Sequence, residues 1–211
     1  MTLKNIFPIV LIAILLSACK GDVKVNDIFE DDKPKNTLAG TKHFLEEDGI
    51  QILLPEDFVR YSNAEYNSLL DSLSKKKEFK VLEDKFDYVR GLNGNNYIYF
   101  EPKQNMTYMI NSIPYAPIEK KDAQKLLGII RQNHKKAQEK SKIEFKKVTA
   151  KHTEITGAQI FKAIFKADLK KEKRTLYEHT YYISSNEKSV LINLTTLKEL
   201  NFDPYIEKMI F

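Results

Sequence analysis

The sequence predicts an α+β domain: a largely antiparallel sheet of about six or seven strands with helices packed on it. Three observations carry that expectation. The last third of the chain alternates apolar and polar residues in segments separated by short polar turns, the period-two signature of antiparallel strands. Residues 62–73 and 118–140 instead space their apolar side chains at helical intervals. The part holding both patterns is about 170 residues long, an ordinary size for one domain.

At the N-terminus, Lys4 is the only charge before Lys20, and residues 6–16 form an apolar run with Pro8 inside it. Such a run rises only about 16 Å as a helix, whereas a bilayer core needs about 20 residues. It therefore reads as the core of a signal peptide. Leu16-Ser17-Ala18-Cys19 follows directly and resembles the lipobox of bacterial lipoproteins. That resemblance implies cleavage before Cys19, a diacylglycerol on its thiol, and a membrane partner reached through that lipid. Cys19 is the sole cysteine, so no disulfide framework exists and acylation leaves no thiol for catalysis. Two buried acyl chains give an upper bound on the order of 20 kcal/mol of membrane affinity. The expected organisation is a signal peptide over 1–18, a lipidated cysteine and flexible tether over 19–41, and one globular domain over 42–211. The tether holds Glu30-Asp31-Asp32 and Lys33-Pro34-Lys35-Asn36 with few apolar residues, a composition that does not bury a core.

Within the domain, Gly49–Leu54 reads as a short strand stopped by Pro55. Ser62-Asn63-Ala64-Glu65 has the form of a capping box, and Tyr66, Leu69, Leu70 and Leu73 form one apolar stripe. Phe79, Leu82, Phe86 and Val89 suggest a second helix, ended by the Asn93-Gly94-Asn95 turn. Residues 96–100 and 106–111 read as strands. Leu126, Leu127, Ile130 and Ala137 mark the buried face of the helix at 118–140. Strands are expected at 143–148, 154–167, 175–183 and 190–195, with turns at 170–173 and 184–188. Phe161 and Phe165 alternate with Ala163 and Ala167, a large–small pattern that lets a helix approach closely. Asp203-Pro204 reads as an N-cap with Pro at the first helical position, opening a short helix through Ile210.

Leu54-Pro55-Glu56-Asp57-Phe58 ending a strand, then a capped helix, two strands, a long helix and a sheet finish, is similar to the PsbP/Mog1-like domains. The closing strings Leu191–Thr196 and Asp203-Pro204-Tyr205-Ile206 resemble that superfamily's last strand and helix. The resemblance implies a PsbP/Mog1-like sandwich and a non-catalytic role of docking to larger protein complexes, here a protein of the cell envelope.

The chain has 34 Lys and Arg against 29 Asp and Glu, a formal charge of +5 that falls by one if Lys4 is removed. This is mild, and only Arg60, Arg90, Arg131 and Arg174 supply the planar forks that grip phosphate bidentately. Nucleic acid is not an expected partner. No catalytic residue, cofactor site or metal site is predicted. His152 and Glu154 share a strand face but lack a third ligand at metal-site spacing. His179, between Tyr177 and Tyr181, reads as part of a half-buried aromatic row. His134 sits one turn after Ile130, and His43 at the domain edge. Ser17, Ser184 and Ser185 have no partnered histidine, and no phosphate loop or nucleophile elbow is present. Asp71-Ser72-Leu73 resembles a short bacterial O-glycosylation signal. Lysine pairs or runs at 75–77, 120–121, 135–136, 146–147 and 170–171 would, if gathered on one face, meet an acidic partner or anionic lipid. Two other functions remain compatible with the residues: a small apolar ligand carrier, with a pocket walled by Phe and Tyr, and a hydrolase whose site has no sequence motif.

Overall fold

A computed structural model of the chain describes residues 38–74, 87, 90–140, 142–155, 157–170 and 173–211. The anchor region around Cys19 and most of the helix expected over 79–89 lie outside them.

Among the described residues nine strands form two sheets. β1 (Thr41–Leu45) and β2 (Ile50–Leu54) make a separate hairpin. The main sheet runs β3-β4-β5-β9-β8-β7-β6, with every pairing antiparallel. Its strands are β3 (Val59–Tyr61), β4 (Asn96–Glu101), β5 (Met106–Ile113), β6 (Ile143–Ile155), β7 (Ala158–Leu169), β8 (Arg174–Ser185) and β9 (Lys188–Thr196). Among the described residues the helices are α1 (Asn63–Ser74), α2 (Lys120–Lys140) and α3 (Asp203–Ile206). The α+β class and the seven-stranded antiparallel sheet are those the alternation predicted.

Period-two alternation divides the sheet's side chains between two cores. On one face Tyr99, Tyr108, Ile110, Tyr181, Ile192 and Leu194 are buried beneath the β1–β2 hairpin and the C-terminal segment, which add Leu45, Ile52, Phe202 and Ile206. On the other, α1 lays Tyr66 and Leu70 against Ile98, Phe100 and Met109. Farther along that face, Ala123, Leu126, Leu127 and Ile130 of α2 pack on Phe161, Ala163 and Phe165. The alanine between the two phenylalanines is the small residue that lets α2 sit close. Burying an aromatic or aliphatic side chain of this size contributes roughly 1.5–3 kcal/mol, so the alternation on β7 alone accounts for much of α2's attachment.

Local chemistry sets the element ends. Ser62 caps α1 as its sequence predicts: its Oγ accepts from the Glu65 N–H at 3.2 Å, and the Glu65 carboxylate accepts from the Ser62 N–H at 2.8 Å. The hairpin turn between β1 and β2 is tied to the main sheet by Asp48. Its carboxylate accepts from the Tyr97 hydroxyl at 2.6 Å, the Ser112 hydroxyl at 2.6 Å and the Asn95 amide at 3.2 Å.

Four expectations need correction. β1 and β3 form where no strand was anticipated. The alternation read as one strand over 154–167 is split: β6 runs on from 143 to Ile155, and Gly157, with φ +77°, makes the turn into β7. The β8–β9 turn shrinks to Asn186 and Glu187, both left-handed with φ +46° and +57°, the backbone a two-residue hairpin demands. Finally, α3 is only four residues long and Phe202, not Asp203, is its cap. The chain then leaves the helix because the N–H and carbonyl of Ile210 bond to Gln51 of β2 at 2.9 and 2.8 Å.

Candidate functional site

The segment from Pro114 to Ile118 carries the chain from β5 to α2 across the end of the sheet, and polar side chains of successive strands hold it down. Ser189 of β9 accepts from the Ala116 N–H at 3.0 Å. The Ala116 carbonyl accepts from the hydroxyls of Tyr182 and Ser184 of β8 at 2.9 and 2.7 Å. Gln159 of β7 accepts from the Ile118 N–H at 2.8 Å, and His152 of β6 lies with Nε2 at 3.0 Å from the Ile118 carbonyl. A carbonyl only accepts, so that nitrogen carries the proton. His152 is therefore a fastening of this strap. Ser184 likewise spends its hydroxyl on Ala116 and Ser189, the latter at 2.7 Å.

Beside the strap lies an open cleft of about 330 Å³, lined by Tyr115, Glu154, Ile155, Gln159, Ser185 and Asn186 among others. Its walls are mainly polar. The sheet's large aromatic side chains, the expected lining of an apolar carrier pocket, are packed instead beneath the hairpin and the helices.

His134 has both ring contacts and a carboxylate neighbour. Its ring stacks on Phe145 with centroids 3.9 Å apart and meets the edge of Phe165 at 4.5 Å. Nε2 lies 3.1 Å from the Glu178 carboxylate, and both side chains are nearly buried. The position one turn beyond Ile130 was visible in the sequence. Glu178, on a strand 44 residues away, carried no such signal.

His179 is fully buried rather than half-buried, stacked 6.5 Å from Tyr181, with Ile164 and Leu194 as its cross-strand neighbours. His43 meets the edge of Tyr99 at 4.7 Å. Burial, and then the nearby Arg60 guanidinium, hold its pKa below the ordinary 6.5. Arg60 itself pairs with Glu46 at 3.0 Å and lies over the Tyr97 ring. Ser72 of the Asp71-Ser72-Leu73 triplet donates to the Leu69 carbonyl at 2.6 Å on α1. Thus the structure disperses the sequence candidates: His152 and Glu154 share a strand face, but His43, His134 and His179 lie in three different packing environments. Among the described residues no three His, Cys, Asp or Glu side chains gather to hold a metal, and no helix is long and apolar enough to cross a membrane.

The described lysine pairs are spread over α2, β6 and the end of β7. Those at 75–77, and Lys171, lie outside the described residues. On β6 and its neighbour, Glu144 draws Lys146 and Lys170 at 3.4 and 2.9 Å, which with their hydrogen bonds lower its pKa. Lys166 pairs with Asp168 at 3.1 Å. Lys147 and Lys151 stand exposed on the same strand.

The sequence matches no protein-family profile and no curated protein. The structure is similar to the solution structure of the cyanobacterial PsbP (CyanoP) from Synechocystis sp. PCC 6803. The fold is PsbP-like. The two share 10% identity with a TM-score of 0.51, over 86% of this chain and 98% of CyanoP. The PsbP-like arrangement thus spans nearly the whole of the solved domain.

Proposed function

We propose that this protein is a cell-envelope lipoprotein, anchored through lipid on Cys19, whose PsbP-like domain binds or supports another protein without catalysing a reaction. The observation that carries the anchor is Leu16-Ser17-Ala18-Cys19 directly after a short apolar run. In this reading residues 1–18 are removed, 19–41 tether the domain, and 42–211 fold outside the cytoplasm, on the outer membrane in a Gram-negative cell. The docking role is supported by the PsbP-like fold and by the engagement of His134 and His152 in packing and in the strap. Fold alone is a weak guide to function, so the decisive observations are biochemical. Wild-type protein should incorporate labelled palmitate and Cys19→Ser should not, because a hydroxyl cannot replace the thiol in the transfer. Equal labelling of the two would overturn the anchor. Crosslinking and affinity capture from native membranes should bring down a defined complex; a protein recovered alone, with a stoichiometric small molecule in it, would favour the carrier.

A further inference from the structure

The main sheet ends on β6, thirteen residues long, and among the described residues no strand pairs with its outer edge. An open edge of this length is a template for another strand. Two features modify it. The register shifts between Lys147 and Thr149, so Val148 bulges out, 42% exposed, and the side-chain parity flips. Lys147 lies opposite Phe165, on the face covered by α2, whereas Lys151 lies opposite Lys162 on the other face. The edge is thereby flanked by one lysine on each side. Lys146 and Lys162 already have carboxylates, Glu144 and Asp203. Lys147 and Lys151 have none among the described residues.

Lysines and a bulge are the ordinary guards of a free edge; between Glu144, which Lys146 and Lys170 hold, and Glu154 near its end, the middle of β6 carries only cations, and such a guard is also a filter. A second copy of this chain, pairing antiparallel about the middle of β6, would bring Lys147 and Lys151 against their own counterparts. A strand carrying carboxylates would find a cation on whichever face its side chains took. We propose that β6 is the docking edge for an extended acidic segment of a partner protein, which adds to the sheet as a further strand with its carboxylates on Lys147 or on Lys151, according to the face they take. Main-chain hydrogen bonds then supply affinity and the lysines supply selectivity. The biological setting rests on the protein-binding reading above; the edge chemistry does not.

The test titrates the full-length protein with a peptide of about eight residues, the length of an ordinary strand, alternating Glu and Val, and with its Lys-Val counterpart. Amide shifts and hydrogen exchange on β6 report the site. The acidic peptide should protect β6 amides, and the basic one should not bind. Lys147→Glu with Lys151→Glu should weaken binding about tenfold or more, and the corresponding Gln pair by less. Binding should fall as salt rises. The proposal is overturned if β6 amides do not respond, if the charge-reversed protein binds equally well, or if the chain instead dimerises through β6 as concentration rises. Loss of a membrane complex with peptide binding intact would count against the proposed function alone.

Discussion

Lys162 on β7 holds Asp203, the first residue of α3, through both carboxylate oxygens at 2.7 and 2.6 Å. The same carboxylate accepts from the buried Tyr181 hydroxyl at 3.1 Å. One aspartate thus fastens the C-terminal segment to two neighbouring strands. The side chain expected to cap α3 is thereby drawn down to the sheet, and Phe202 stands at the cap position.

Asp203→Ala should cost roughly 2 kcal/mol, the loss of a partly exposed ion pair plus an unpartnered buried hydroxyl. The Gln51–Ile210 bridge amides should exchange faster while those of β8 remain protected. Hydrogen exchange checks both; unchanged exchange at Gln51 would show that α3 is held by burial alone.

Phe165→Ala removes a ring from between β7 and α2 and should cost about 3–5 kcal/mol in urea unfolding. His152→Ala leaves the Ile118 carbonyl without its donor and should cost only about 1 kcal/mol. His179→Ala, at a fully buried position, should resemble a core deletion and lose more than His152→Ala. A reversed order of the two histidines would place the strap, not the core, at the centre of stability.

Gly94 and Gly128 form a contrasting pair. A Cβ at Gly94 would lie 1.5 Å from the Ser112 carbonyl oxygen, on a backbone with φ +110°. Gly94→Ala should therefore lose several kcal/mol, on the order of 3 or more. Nothing lies within 4 Å of a Cβ at Gly128 in α2, so Gly128→Ala should gain about 0.5–1 kcal/mol. Thermal unfolding of the two variants reads this directly.

His43 should make stability pH-dependent in the mildly acidic range. Its folded pKa lies below the ordinary 6.5 through burial and the Arg60 charge, so the unfolded chain binds more protons there. The contribution is complete above about pH 6.5 and is lost as pH falls through the lower folded value. The shifts of Glu46, Glu65, Glu144 and Asp168 are also downward, so their contributions fade only below the ordinary carboxyl range. Urea midpoints measured from pH 7.5 to 5 should fall, and His43→Phe should flatten the fall. A slope unaltered by that substitution would assign it to another group.

Much of the architecture was legible because it rests on local patterns. Ser62 and Glu65 announce α1 three residues apart, and Phe161, Ala163, Phe165 and Ala167 announce both the strand and the helix above it. The edges were not legible. In β1, Thr41–Leu45 has only Leu45 buried, so little alternation is present. Gly157 marked the β6–β7 turn, yet apolar residues on both sides kept the period going through it. The site was less legible still, because each decisive contact joins distant positions: His152 to Ile118, His134 to Glu178, and Lys162 to Asp203. No spacing rule connects such pairs. Their residue types were visible, but their partners were set by the sheet.

β9 is the last in sequence of the described strands and yet the middle one of seven in the main sheet. β6 to β9 form a meander of sequential hairpins whose loops close at little entropic cost, whereas β5 waits for a partner about eighty residues downstream. While the polypeptide is being made, β3 to β5 can pair with one another, but the far edge of β5 has no neighbour until Thr196 has been delivered. A nascent molecule that stops short of β9 exposes two raw central edges at once, those of β5 and β8, and such truncated products should be substrates for holding chaperones and proteases rather than half-active fragments.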